Sequence, residues 1–238
     1  MIITCKFRDP TLASEDFLEM LRRMHSITVL LAEKSEGLEN WFAQGDSIEE
    51  AYLYPAFEDG EPSTALLAVL NHKYRNDKSF TLISIWNGAS EQRDGVSLAL
   101  HANDRSQPCT LTVSNHKQRD DRFGGADSAK GIVVSLVKQF HPLYVSVSPR
   151  YYAQKQVFDD KPGVGWMLYL PKVITAQQVP EAQALIPVPA AGKKQTGTII
   201  VSVAEEVFSL DNPSHVELAN HIEMRLVDQD LLPRYADL

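Results

Sequence analysis

The sequence predicts an α+β fold in which helices cover an antiparallel β-sheet, and two observations lead to this prediction. Amphipathic helical periodicity is concentrated in the first third of the chain, whereas alternating apolar runs typical of strands follow one another later with few helices between them. This segregation favours an antiparallel sheet over an alternating parallel α/β design. The 238 residues, 44% of them hydrophobic, can bury one sizeable core. We therefore predict a single domain over residues 1–238.

The first helix is predicted over residues 14–34 from an apolar stripe. Its apolar residues recur at steps of three and four, which places them on one helical face. Glu15 and Asp16 lie in the first turn, where the positive end of the helix dipole favours acids. We expect this face to pack on the core. The stripe consists of Phe17, Met20, Leu21, Met24, Ile27 and Leu31.

Two shorter helices are predicted next. Asp46 and Glu49 have the spacing of a capping box, so a short helix should begin there and end before Pro55. Pro62 is tolerated at the first position of a helix, which should then run to Leu70.

Three strands should form an antiparallel meander, because they are close in sequence and no helix intervenes. Residues 80–86 are apolar on both faces and end at an Asn-Gly pair, which indicates a central strand. Residues 96–100 and 110–114 alternate with period two, so each should bury one face.

The sequence of the second half of the chain predicts two helices and three strands. One helix should end at the His141-Pro142 step, and another should begin at Asn212-Pro213. The three strands are predicted at residues 143–148, 164–170 and 196–203, the last of them alternating.

Residues 171–195 are predicted to form a long surface loop. They include four prolines and show little periodicity, although residues 175–185 could form a helical turn or two. Long loops in compact domains are often functional, so this loop is a candidate contact surface.

Composition excludes several functional classes. No window approaches about 18 uninterrupted apolar residues, and the N-terminus lacks the pattern of a signal peptide. We therefore expect a cytoplasmic protein that does not contact a membrane. The net charge is −8 and no basic stripe is present, which argues against direct nucleic-acid binding. Cys5 and Cys109 are expected to be free packing thiols, and a disulfide between them is the alternative.

The acidic segment, residues 33–61, is the candidate binding surface. It contains nine acids and one base, Lys34, so its net charge of −8 equals that of the whole chain. Aromatic residues are interleaved with the acids, as in a surface that attracts and holds a basic partner. A solvated face and aromatic core residues are the alternative explanation. The predicted partner-binding residues are Glu33, Glu36, Glu39, Trp41, Asp46, Glu49, Glu50, Glu58, Asp59 and Glu61.

An enzyme would need a catalytic constellation, and the sequence offers one candidate. Asp159, Asp160 and Lys161 resemble the end of a metal-dependent nuclease motif, but Pro162-Gly163 follows immediately, so a turn also explains them. His215 and His221 are six residues apart and lie on different helix faces, unlike a metal-binding pair. We expect His215 to be packed and His221 to pair with Glu217 and Arg225. We predict no catalytic, metal-binding or cofactor-binding residue.

Several blocks of the sequence resemble the immunity protein 52 family. The N-terminal blocks are Trp41-Phe42-Ala43-Gln44-Gly45-Asp46-Ser47, with Glu49-Glu50-Ala51, and Ser84-Ile85-Trp86-Asn87-Gly88. The C-terminal blocks are residues 162–171 (PGVGWMLYLP), 197–201 (GTIIV) and 225–233 (RLVDQDLLP). The resemblance extends from about residue 41 to the C-terminus.

This resemblance implies a cytoplasmic antidote that binds and neutralises a cognate toxin and catalyses no reaction. The toxins of this family are restriction-endonuclease-like nucleases, often delivered by type VI secretion, so the expected partner is a basic nuclease. Two alternatives remain: a metal-dependent nuclease or hydrolase with scattered residues around Asp159–Lys161, and a non-catalytic secretion-system adaptor. Toxin occlusion, disruption of toxin oligomers and allosteric inhibition also remain open.

Overall fold

The structure, a computed structural model, describes residues 1–45, 47–77, 79–103, 107–115, 122–189 and 194–238. They form two compact units. The N-terminal unit is Lys6–Phe123, and the C-terminal unit is Met1–Cys5 with Gly124–Leu238. Strand β1 (Ile2–Phe7) contributes residues to each. The single domain over residues 1–238 stays a prediction, and each unit is described by itself.

The long helix of the N-terminal unit, α1, spans Phe17–Ala32. Its N-cap is Asp16, whose carboxylate accepts a hydrogen bond from the backbone N–H of Glu19 at 3.1 Å. All six residues of the predicted apolar stripe are buried. The prediction of an amphipathic helix packed on the core is confirmed.

The two shorter helices begin later than the sequence predicts. Helix α2 spans Ile48–Ala51 and is capped by Ser47, while Asp46, the expected cap, lies outside the described residues. Helix α3 spans Thr64–Lys73 and is capped by Ser63. Pro62 is therefore not in the helix, because the serine hydroxyl caps the helix after it.

Pro62 instead ends a small hairpin. Strand β3 (Phe57–Glu58) pairs antiparallel with β4 (Glu61–Pro62). Asp59 and Gly60 form its turn, both with positive φ, at 49° and 81°. The acids at the end of the segment are thus held on a tight turn.

The predicted meander is confirmed in the N-terminal unit. Strands β5 (Phe80–Trp86), β6 (Val96–Asn103) and β7 (Cys109–Asn115) pair antiparallel in succession. Strand β2 (Phe42–Ala43) pairs with Trp86 and Ile85 on the far side of β5.

Strand β5 has a neighbour on each side, β6 and β2, as predicted for a central strand, but one of its two apolar faces is partly exposed. Phe80 and Leu82 are 47% and 42% exposed, while Ile83 and Ile85 on the other face are buried. Strand β2 is two residues long and reaches only the end of β5. Apolar residues on both faces of a strand therefore do not show that both faces are buried.

The C-terminal unit combines two long helices with four antiparallel strands in the order β10-β11-β9-β8. Helix α4 ends at the predicted step, where His141 has a left-handed conformation, and α5 is capped by Asn212 as predicted. The elements are α4 (Ala126–Phe140), β8 (Tyr144–Ser148), β9 (Met167–Leu170), β10 (Ala184–Val188), β11 (Gly197–Val201) and α5 (Pro213–Asp228). Together the two units confirm the α+β class with antiparallel pairing.

The predicted loop at 171–195 contains a strand. Strand β10 lies inside it and pairs with β11, and residues 190–193 lie outside the described part. Pro187 concealed this strand in the sequence, but proline is tolerated on an edge strand. Residues 196–203 alternate in sequence, but all five residues of strand β11 are buried, and the strand lies between β10 and β9.

Gly165 occupies a position that we expect to exclude a side chain. Its φ is +51°, and a Cβ atom would lie 2.5 Å from the Ser148 Cβ and 3.0 Å from the Val147 carbonyl oxygen. Gly165→Ala should lower the free energy of unfolding by about 1–3 kcal/mol. The matched control is Gly131→Ala in α4, where a Cβ meets nothing within 4 Å; it should stabilise by about 0.5–1 kcal/mol. Urea denaturation checks both, and equal effects would contradict the steric argument.

Both cysteines, Cys5 and Cys109, are buried and free, as expected. Across the part of the chain that the structure describes, no helix is long and apolar enough to cross a membrane.

Candidate functional site

The acids of the acidic segment lie at the surface of the N-terminal unit. Glu33 follows the last turn of α1, Glu49 and Glu50 begin α2, and the last three acids belong to the β3–β4 hairpin. Asp46 lies outside the described residues. The exposed acids are Glu33, Glu36, Glu39, Glu49, Glu50, Glu58, Asp59 and Glu61.

Few of these charges are neutralised within the part of the chain that the structure describes. Glu61 pairs with Arg22 at 3.3 Å, and both side chains are more than half exposed, so solvent screens this contact. Glu33, Glu36, Glu49 and Glu58 make no ion pair with any described residue. The segment therefore presents negative charge to solvent.

Trp41 was expected on this surface, but its side chain is buried. Its side chain is 3% exposed, and its indole N–H donates to the Leu38 carbonyl at 2.9 Å. An indole N–H that is satisfied internally has no need of a partner. Trp41 supports the acidic segment from below rather than presenting an exposed anchor.

Other apolar side chains are exposed among the acids. Tyr52 packs between Phe42, with ring centroids 5.1 Å apart, and Trp86, at 6.1 Å, and its hydroxyl donates to the Gly88 carbonyl. Leu53 is 69% exposed and Ile48 is 47% exposed. These five residues form the apolar strip. Rigid aromatic groups with an acidic rim resemble the anchors and rim of protein interfaces.

A groove of about 570 Å³ adjoins this strip, and we call it the α1 groove. Helix α1 forms one wall, and the acidic segment forms the other. His25 of α1 packs on Phe57 with ring centroids 4.7 Å apart. The groove is lined by His25, Thr28, Val29, Ala32, Glu33, Glu39, Asn40, Trp41, Phe42, Pro55, Phe57 and Gly60.

Arg122, which sequence reasoning missed, fixes the loop before Trp41. Its side chain is 6% exposed, and its guanidinium donates to the carbonyls of Glu36 at 3.1 Å and Asp94 at 2.9 Å. Asn87 donates to the Gly37 carbonyl at 3.0 Å. A base in a polar, charged stretch gives no sequence signal of burial. These hydrogen bonds hold the backbone at Glu36 and Gly37, within the acidic segment, in place.

The rival surface at 171–195 is anchored at its start. The Thr198 hydroxyl donates to the Lys172 carbonyl at 2.8 Å and accepts from the Ile174 N–H at 3.0 Å. Val173 between them is 54% exposed. This segment carries no comparable cluster of charge, so it is the weaker candidate for electrostatic binding.

Two of the three candidate nuclease residues, Asp160 and Lys161, contact the C-terminal end of the chain. Asp160 lies 3.5 Å from Arg234, and the Lys161 ammonium is buried and donates to the Leu232 carbonyl at 3.4 Å. Among the described residues, no group of three or more histidine, cysteine or acidic side chains could hold a metal ion. A turn at residues 159–161, the alternative that the sequence offered, accounts for the occurrence of Asp159, Asp160 and Lys161 together.

The two candidate histidines are also explained by structure. His215 is 7% exposed, accepts from the Ser209 N–H at 3.1 Å and contacts Glu206 at 3.0 Å, so it is packed as predicted. Arg225 pairs with Glu181 at 2.9 Å, rather than with His221 as expected. Helix spacing alone does not reveal this partner, because Glu181 lies outside the helix.

Glu223 is a buried acid that sequence reasoning also missed. It is 1% exposed and accepts three hydrogen bonds, from the Tyr152 hydroxyl at 2.6 Å and from the N–H groups of Val157 at 2.8 Å and Val164 at 2.9 Å. Burial raises the pKa of Glu223, although these bonds oppose the shift. The carboxylate ties residues 152–164 to α5, which is a structural role.

The family model for immunity protein 52 matches residues 13–234, nearly the whole chain. No curated protein matches the chain. A solved T6SS protein of Pseudomonas aeruginosa is similar in fold, with a TM-score of 0.50 and 12% identity over 94% of this chain and 75% of that chain. Because the match to the family model covers nearly the whole chain, it leads to one conclusion: the chain belongs to the immunity protein 52 family.

Proposed function

We propose that this immunity protein binds and neutralises a cognate nuclease toxin through the acidic segment. The observation that carries the proposal is the exposure of eight acids whose charge is largely uncompensated within the described residues. The family relationship supports a toxin as the partner. The proposed site of action is the cytoplasm, where a nuclease meets its substrate.

Electrostatics supports a nuclease in particular. A nuclease must attract a polyanion, so it presents a basic groove to the phosphate backbone. An acidic inhibitor is steered toward the same groove, and association accelerates at low ionic strength. The exposed residues of the apolar strip can then hold the complex after encounter.

The proposal is tested with the protein encoded by the neighbouring gene. Cells that express this neighbour should lose viability and degrade nucleic acid, and co-expression of the immunity protein should prevent both effects. The two proteins should also co-purify as a complex. Failure to rescue the cells would contradict neutralisation, and toxicity without nucleic-acid degradation would contradict a nuclease partner.

A further inference from the structure

We infer that the α1 groove receives one arginine side chain of the toxin. This inference rests on the proposed function and deepens it by naming the chemistry of one contact. The shape of the groove, its charge and its aromatic walls each point to the same occupant.

The shape and apolar walls suit a long side chain. Val29 on α1 is 48% exposed, and Phe42 and Phe57 line the groove beside it. Arginine and lysine can cover such walls with their methylene groups while the charged end remains near polar atoms. A groove of about 570 Å³ has room for one such side chain together with water.

The charge of the groove favours a cation. Glu33 and Glu39 both line it, and no lysine or arginine is among its described lining residues. The Glu39 carboxylate accepts a hydrogen bond from the Gly37 N–H at 3.2 Å, which orients it. A carboxylate can accept further bonds after this one. A cationic group that enters the groove would therefore meet two acids, one of them positioned beforehand.

The aromatic walls favour arginine over lysine. A guanidinium is planar, stacks on aromatic faces and pairs with carboxylates through two parallel hydrogen bonds. Phe42 and Phe57 supply the rings, and His25 supports Phe57 at a centroid distance of 4.7 Å. An ammonium is a more strongly hydrated point charge and gains less from these walls.

The first test fills the groove. Val29→Trp should weaken binding of the purified toxin roughly tenfold or more, mainly through faster dissociation. The matched control is Val69→Trp, because Val69 is a valine on α3 with 39% exposure and does not line the groove. The control should bind as the wild type does, and thermal melts should show that both variants fold. Wild-type affinity for Val29→Trp would overturn the inference.

The second test identifies the occupant by double-mutant cycles. Each surface arginine of the toxin is changed to lysine and measured against wild type, Glu33→Gln and Val29→Trp. One arginine should show a loss of affinity that largely disappears in both groove variants. If no arginine of the toxin shows this coupling, the assignment to arginine is overturned. A wild-type chain that binds no toxin overturns the proposed function as well, whereas an intact complex insensitive to Val29→Trp overturns the groove alone.

Discussion

Replacing Glu223 with alanine is expected to lower the free energy of unfolding by about 3–5 kcal/mol. The substitution removes the acceptor of three hydrogen bonds and leaves the Tyr152 hydroxyl and two backbone N–H groups without it. The site is 1% exposed, so water does not readily replace the carboxylate. Urea denaturation of the purified protein measures the effect.

A control on the same helix separates burial from helix propensity. Glu217 is exposed on α5, and Glu217→Ala should change stability by less than about 0.5 kcal/mol. Glu223→Gln keeps one acceptor oxygen but places an amide donor against a backbone donor, so its cost should lie between the two, at about 1–3 kcal/mol. A small loss in Glu223→Ala, equal to that of Glu217→Ala, would show that residues 152–164 do not depend on this carboxylate.

A comparison of the wild type with Glu223→Gln should also show that stability depends on pH. Burial raises the pKa of Glu223 above its ordinary 4.5, so the folded protein holds this proton more tightly than the unfolded chain. The resulting stability is fully present below that ordinary value and is lost as pH rises through the raised pKa. Glu223→Gln has no such proton, so the stability of the wild type relative to this variant should fall as pH rises. A relative stability that increases with pH would show that the three donors outweigh burial.

The features predicted correctly from sequence depend on local periodicity or local capping. The stripe of α1 and the alternation of β6 and β7 specify which face is buried, and Asn212 marks the start of α5. The predictions failed where a non-local partner decides. Pro187 conceals β10 because only its pairing with β11 shows that it is an edge strand. The exposure of Phe80 depends on which elements pack on that face of β5, and the apolar run does not contain this information.

The candidate site shows the same limit. Its charge could be counted from the sequence, and all eight described acids are exposed. The exposure of its aromatic residues could not be predicted from the sequence. Trp41 and Tyr52 have similar sequence surroundings, but only Tyr52 reaches solvent. Arg122 and Glu223 are charged residues that are buried by contacts with distant segments, and no pattern of spacing reveals such contacts.

Reversing four charges of the acidic segment should slow association with the toxin by roughly 10–100-fold at low salt. The variant carries Glu33→Lys, Glu36→Lys, Glu49→Lys and Glu58→Lys, at exposed acids with no ion pair to a described residue. Because no internal ion pair is broken, we expect the fold to remain intact. Stopped-flow mixing across a series of salt concentrations measures the rate, and its salt dependence should become weaker.

A matched control separates the segment from the total charge of the chain. Glu205, Asp211, Glu217 and Asp228 are exposed acids of the C-terminal unit, and changing all four to lysine alters the net charge by the same amount. If the acidic segment guides the toxin, this control should slow association much less. Equal slowing by both variants would mean that only net charge matters.

Dissociation rates then distinguish steering from contact. Charges that only guide the encounter change the association rate and leave dissociation nearly unchanged, whereas charges paired within the complex change both. Glu33 lines the α1 groove, whereas Glu58 does not. We therefore expect Glu33→Lys alone to accelerate dissociation and Glu58→Lys alone to affect mainly association. This difference would place the arginine contact at one end of a larger steering surface.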